Sequence, residues 1–369
     1  MERPVFQPVG TAAIELDTPA LVVDLDTATT NIERFHRYFQ DTPAKLRPHL
    51  GFHQCPRIGH LQMAAGNTSG GIAVTSVGEA EVFAGTGFND ILVTGKVVTG
   101  PAMRRLCALA QTTIITISVD NADNIADLSR IAMSSGIRLR ILIEVNSGSG
   151  WSGVQPGQSG LDLARIVENA AGLEFSGLFV NDRIGMDGDW EQAANKTHES
   201  LEPIIDTRKL IENSGMPVAT VSVNGDYNFD TASRISGITE VYAGIYPLMD
   251  WKSSQIRPEF SPAAKILATV ISHPIEARAV VDAGHKATAP DEGLPVLEGN
   301  PGAEATRFSA EHGILDLEQH MENELQPGAK VWLVPYNLEL SVNQYDYFRA
   351  VRGSKLVGFW PISARGRFE

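Results

Sequence analysis

The feature that most constrains this chain is an alternation that repeats eight times between about Asp24 and Asp250. Short runs rich in β-branched residues are followed by segments with apolar residues at helical spacing. The strand-like runs are Leu46–Leu50, Gly71–Ser76, Asp90–Gly95, Ile114–Val119, Arg138–Asn146, Phe175–Val180, Ala219–Asn224 and Glu240–Tyr246. Amphipathic segments lie between them at Ile58–Ala65, Val77–Ala84, Asn121–Ser134, Leu161–Ala170 and around Glu191–Asn213. Strand and helix in strict alternation imply parallel strands joined by right-handed crossovers. Eight such units predict an α/β fold, a (β/α)8 barrel, over residues 25–252.

Beyond Ser253 the helical period fades. Lys265–Ile271, Ala277–Asp282, Lys330–Pro335 and Asp346–Val351 read as strands divided by turns. Ala289–Thr306, rich in Pro, Gly and Glu, reads as an exposed loop. A β-rich domain is therefore expected from 253–369 together with 1–24.

Charge and cysteine content narrow the partners. Thirty basic against 44 acidic residues give a formal charge of −14, which disfavours nucleic acid, since phosphate binding needs basic patches. The two cysteines, Cys55 and Cys107, have no metal-type or disulfide spacing. No apolar run approaches the roughly 18 residues of a membrane span. The N-terminal MERPVFQPVG lacks a signal-like apolar stretch. A cytoplasmic protein with a small-molecule substrate, no membrane and no nucleic-acid partner is expected.

Barrels of this kind place their chemistry at the C-terminal ends of the strands. Those ends carry His49 to His53, Ser76, Lys96, Asn146 to Trp151, Asn181 to Arg183, Asn224 to Tyr227 and Gly244 to Tyr246. Gly148-Ser149-Gly150-Trp151-Ser152-Gly153 fits a dinucleotide-loop pattern formally. Pro156 and Gly157 interrupt the helix that such a loop would open, so it reads as the loop after the fifth strand.

Several ordered segments resemble a known family. They are Asp17 to Asp24, Leu46-Arg47-Pro48-His49, Thr75 to Glu81, Thr239 to Tyr246 with Met249-Asp250, Asp282-Ala283-Gly284 with Lys286, Glu311-His312-Gly313, and Trp360-Pro361-Ile362 with Ala364 to Arg367. Together they resemble the D-threonine aldolase and D-serine dehydratase family, of the alanine-racemase, fold-type III pyridoxal-phosphate class. The resemblance covers nearly the whole chain. It implies a barrel with a β-domain, a homodimer, and lyase chemistry on pyridoxal phosphate.

At the family's chemical positions the chain departs from the pattern. The family motif Arg-Pro-His-x-Lys-Thr-His-Lys appears as Arg47-Pro48-His49-Leu50-Gly51-Phe52-His53-Gln54, so glycine replaces the Schiff-base lysine. Glycine has no amine. Trp151 replaces the arginine that serves the cofactor ring. The phosphate loop appears as Ser222-Val223-Asn224-Gly225-Asp226, which puts a carboxylate where the resemblance implies a phosphate. Ile245 replaces the Ser or Thr before the strand-eight tyrosine. Asn337 and Glu339 replace the family's metal pair, a poor set for zinc.

These departures predict an enzyme that has kept the scaffold and works with neither pyridoxal phosphate nor a metal. The expected chemistry is acid–base lyase, isomerase or cyclase work on a carbonyl-bearing, aromatic-type small molecule. The candidate catalytic residues are His53, Asp182, Arg183, Tyr246, Glu339 and Lys96. The candidate substrate-binding residues are His49, Gly51, Phe52, Trp151, Asn181, Asn224 and Asp226. Each has a plain structural alternative: His53 as a loop-holding residue, Asp182-Arg183 as a local ion pair, Phe52 and Trp151 as filler of a vacated pocket. Lys96 supports a second reading, a pyridoxal-phosphate aldolase or dehydratase with its lysine relocated to the end of the third strand. Otherwise Lys96 is a rim lysine paired with an acid. A third reading is a binding protein without turnover.

Overall fold

The computed structural model describes residues 7–182, 184, 190–321 and 324–369. Its strands, in chain order, begin with β1 (Ala20–Asp24). Then come β2 (Lys45–Pro48), β3 (Ile72–Val74), β4 (Asp90–Val93), β5 (Ile114–Val119), β6 (Leu139–Glu144), β7 (Leu173–Val180), β8 (Thr220–Asn224) and β9 (Glu240–Ala243). Last are β10 (Ala264–Ile275), β11 (Arg278–Val281), β12 (Val296–Glu298), β13 (Ala303–Phe308), β14 (Gly313–Leu317), β15 (Lys330–Val334), β16 (Tyr347–Arg352) and β17 (Lys355–Pro361). The chain divides into two compact units. One comprises Met1–Glu33, Phe52–Ile58 and Ile245–Arg365, and the other Arg34–Gly51, Gly59–Gly244 and Gly366–Glu369.

The second unit contains the eight parallel strands, ordered β2-β9-β8-β7-β6-β5-β4-β3. Single parallel bridges, Leu46 to Thr68 and His49 to Ala73, join the two ends of that order. The (β/α)8 architecture expected from the alternation is therefore present. Helices between strands follow the apolar period: Ala122–Ser135 buries Ile125, Leu128, Ile131 and Ala132. Asn121 caps its start by accepting from the Asp123 and Asn124 amides, and Gly136, at φ 66°, ends it. A left-handed residue there costs glycine little.

Inside the barrel, Ala73, Leu92, Leu142, Phe179 and Tyr242 pack as one cluster from five strands. The Phe179 and Tyr242 rings stack with centroids 5.2 Å apart. At the end away from the chemistry, Arg47 forms ion pairs with Asp90 (2.7 Å) and Glu240 (2.8 Å), the first residues of β4 and β9. Ser222 donates to Glu240 at 2.8 Å. Burial opposes the Arg47 charge, but the two carboxylates outweigh it and hold its pKa above the ordinary value. Buried charges persist only when paired in this way.

The first unit holds a nine-stranded sheet with path β13-β14-β11-β10-β1-β16-β17, and β15 pairs with β10 and β12. Ala13, Leu16, Ala20, Val22, Leu267, Val351 and Leu356 form a core cluster beneath it. The loop expected over Ala289–Thr306 instead contains β12 and the start of β13. Strand β12 exists because its backbone pairs with β15 from Val296–Val334 to Glu298–Trp332. That long-range pairing overrides the local Pro and Gly content.

Candidate functional site

The eight-stranded unit gathers a polar cluster at the C-terminal ends of its strands. Lys96 follows β4, and its amine contacts the Glu144 carboxylate at the end of β6. It also reaches Ser118 Oγ at 3.2 Å and Asp120 Oδ2 at 3.8 Å. Glu144 is 1% exposed at its side chain, against 26% for Lys96. Ser118 and Ser152 both donate to Glu144. Burial lowers the Lys96 amine to about 8, with Asp120 opposing the shift. A buried lysine is cheaper to deprotonate because its charge has lost solvation.

The loop after β6 is built by a second set of bonds. Asp182, buried, accepts from the Ser147 amide (2.9 Å) and from the Ser147 and Ser149 hydroxyls. Asn146 Oδ1 accepts from the Gly148 and Gly150 amides, and its amide donates to Ser152 O. The Gly153 amide donates to Asp120 at 3.2 Å. Gly148 and Gly150, at φ 119° and 71°, allow the tight path. Trp151 stands out from this loop at 84% exposure. It therefore does not fill a vacated interior.

Round the same rim, Asn181 Oδ1 accepts from Tyr242 Oη at 2.9 Å. Asp226 accepts from the Gly244 amide at 2.8 Å and from the Asn224 side-chain amide at 3.2 Å. His49 Nε2 lies 3.4 Å from Thr94 Oγ1. A Cβ on Gly51 would sit 2.8 Å from His49 Cε1, 3.1 Å from Thr75 Oγ1 and 3.2 Å from Glu79 Oε2. The position has no amine, and His49 takes the space where a side chain would start.

The remaining candidates belong to the other compact unit. Phe52, His53 and Tyr246 are buried there. His53 Nδ1 accepts the Cys55 amide at 3.1 Å, a loop-holding bond. Asn337 caps the helix Leu338–Val342 by accepting from the Glu339 amide, so its side chain shapes backbone. Arg183 lies outside the described residues. Hence the structure brings together Lys96, Asp182, His49, Gly51, Trp151, Asn181, Asn224 and Asp226 within one unit. It adds Ser118, Asp120 and Glu144, which did not stand out in the sequence, and gives Ser147 and Ser149 a partner in Asp182. Glu144 and Asp120 could have been found: each is an acid at or just past the last residue of a strand near that of Lys96.

Two family models match this chain: "Alanine racemase, N-terminal domain" over residues 23–245, and "Putative serine dehydratase domain" over 263–351. A 3-hydroxy-D-aspartate aldolase of Paracoccus denitrificans (strain Pd 1222) is 32% identical, covering 96% of this chain and 93% of that one. A D-threonine aldolase of an Arthrobacter species is 32% identical, covering 98% and 96%. The solved D-threonine aldolase of Filomicrobium marinum superposes with a TM-score of 0.93 at 32% identity, covering 98% and 99%. The expectation of a lyase-type enzyme agrees with these relatives.

They correct the expectation of an enzyme without pyridoxal phosphate, and with it the expectation of no cofactor. The lost family positions argued for that reading, but similarity to aldolases runs through almost the full chain, and that family depends on pyridoxal phosphate. The cofactor's requirement for an amine is not met at Gly51. Among the described residues of the strand-end cluster, Lys96 carries an amine, its side chain 26% exposed and in contact with Glu144.

Proposed function

Because the chain belongs to the alanine-racemase-type family of D-threonine aldolases and serine dehydratases, we propose that it is a pyridoxal-phosphate-dependent lyase of β-hydroxy-D-amino acids, with Lys96 as its cofactor-binding amine. The observation that carries this reading is the Lys96–Glu144 contact at the strand ends, with the amine lowered to about 8.

The protein's own groups divide the work. Lys96 offers a lone pair near neutral pH, and its departing proton has an acceptor already in contact, Glu144 Oε2. Ser118 and Ser152 donate to that carboxylate and keep it in place. Asp182 fixes the loop that borders the site. Pyridoxal phosphate, when bound, supplies the electron-withdrawing ring that takes up electrons released as a bond at the substrate Cα breaks. General acid–base help of this kind rests on groups with pKa values near the working pH.

The test is spectroscopic and chemical. Added pyridoxal phosphate should give a band at about 410–430 nm that borohydride abolishes, the mark of a carbonyl joined to an amine. Lys96→Met should lose both the band and aldehyde release from β-hydroxy-D-amino acids. A protein that stays colourless, or a K96M variant that keeps the band, overturns the assignment. The proposal extends to a cytoplasmic homodimer. Two buried cysteines with no disulfide between them suit a reducing compartment. No described helix is long and apolar enough to cross a membrane. Light scattering at working concentration tests the dimer.

A further inference from the structure

Two glycines of the eight-stranded unit stand where another stretch of backbone passes too close for a side chain. A Cβ on Gly95, the residue before Lys96, would lie 2.3 Å from Thr75 O. A Cβ on Gly78, in the first turn of the helix Val77–Ala84, would lie 2.7 Å from Glu369 O and 3.2 Å from Arg367 O. Glycine is the residue that permits such approaches.

Hydrogen bonds mark the same two places. The Gly95 amide donates to Thr75 O at 3.0 Å, and the Gly78 amide donates to Glu369 O at 2.6 Å. The Ser76 hydroxyl donates to Arg367 O. A helix leaves its first N–H groups without acceptors of its own. Ser76 accepts from the Glu79 amide, and the Glu79 carboxylate accepts from the Thr75 and Ser76 amides. Glu369 O then serves the Gly78 amide. Charge is matched along this contact. Arg105 holds Glu81 by two bonds of 2.8 and 2.7 Å, while Arg367 attracts Glu81 and Glu369 attracts Arg105.

The contacts form one path. It runs from the Arg367 and Glu369 carbonyls to Ser76 and Gly78, along the chain to Thr75 O, across to the Gly95 amide and on to Lys96. Gly366–Glu369 belong to the same compact unit as the barrel strands. All four residues are exposed, so these bonds rather than burial hold them. We propose that Gly366–Glu369 act as a strap that fixes the end of β3 and, through Thr75 and Gly95, positions the Lys96 amine against Glu144. Arg367 and Glu369 are positioning residues, acting through the backbone that they hold. The proposal rests on the lyase reading for the use of the amine, but its test needs neither cofactor nor turnover.

The test compares the full-length wild type with Gly78→Ala and Arg367→Glu. Alanine at 78 drives a methyl group against Glu369 O while favouring the helix itself. Glutamate at 367, an exposed position, sets a like charge beside Glu81. Hydrogen exchange at the residue-78 amide reads release of the strap. The pH profile of Lys96 trapping by a small aldehyde and cyanoborohydride reads its effect on the site, with Lys209 as the internal comparator.

Both variants should speed exchange at residue 78 by about tenfold or more. Lys96, held less firmly in its desolvated place, should gain water. Its inflection should then rise from about 8 by about half a pH unit, and its trapping at pH 7 should fall about threefold while Lys209 is unchanged. The inference is overturned if exchange at residue 78 is unchanged in both variants. It is also overturned if exchange rises in a folded variant and Lys96 trapping is not lowered. A protein that takes up no pyridoxal phosphate yet shows both responses supports the strap and retires the lyase reading alone.

Discussion

Lys96 should be the fastest-reacting lysine of the folded protein toward an aldehyde at neutral pH. The amine is lowered from 10.5 to about 8. At pH 7 the unprotonated fraction is then about 9%, against about 0.03% for an ordinary lysine, a gain of roughly 300-fold in reactive amine. The assay is trapping with a small aldehyde and cyanoborohydride across a pH series, with modified positions mapped by mass spectrometry. Lys96 modification should rise with an inflection near 8. Lys209, 63% exposed at its side chain, serves as an accessible comparator. An inflection above 10, or a Lys96 rate no greater than that of Lys209 at pH 7, would refute the reasoning. The same shift has a consequence for stability. A lysine held below its unfolded value binds its proton less readily when folded, so the unfolded state is the more protonated one between about 8 and 10.5. Stability contributed by this site should therefore rise with pH across that window. K96M should flatten that slope.

Three further outcomes are expected. Gly51→Ala should destabilise the fold by about 1–3 kcal/mol in denaturant unfolding, since its Cβ must displace His49 from 2.8 Å; an unchanged midpoint would mean that the strand end is looser than described. Arg47→Met should lower stability by about 3–5 kcal/mol by leaving Asp90 and Glu240 without their shared cation, and a loss below about 1 kcal/mol would contradict the buried pairing. Cys55, whose thiol is pushed up to about 11 by burial, should resist a thiol reagent at pH 8 until the protein is unfolded; stoichiometric labelling of the native state at Cys55 would count against its burial.

The substitutions at Gly51, Trp151, Asn224, Asp226, Asn337 and Glu339 looked like the loss of one chemistry because they were judged against family positions. Position along a strand does not decide where an amine can act in space. Eight strand ends converge on one rim, so an amine after β4 meets a carboxylate from β6 although 48 residues separate them. His53 Nδ1 and Asn337 Oδ1 each accept from a nearby backbone amide, which holds a local turn and a helix start.

The sequence by itself determined the eight-fold alternation, the change to β structure after Ser253 and the departures from the aldolase motif. These are periodic or local properties, set by which residues suit a strand, a helix or a turn. Tertiary structure alone decided that β12 pairs with β15, that Lys96 is held by Glu144, Ser118 and Asp120, and that Trp151 faces outward on a loop tied to Asp182. Those facts depend on strand register and burial, which fix distances between residues far apart in the chain and lower the amine of Lys96 by removing its water.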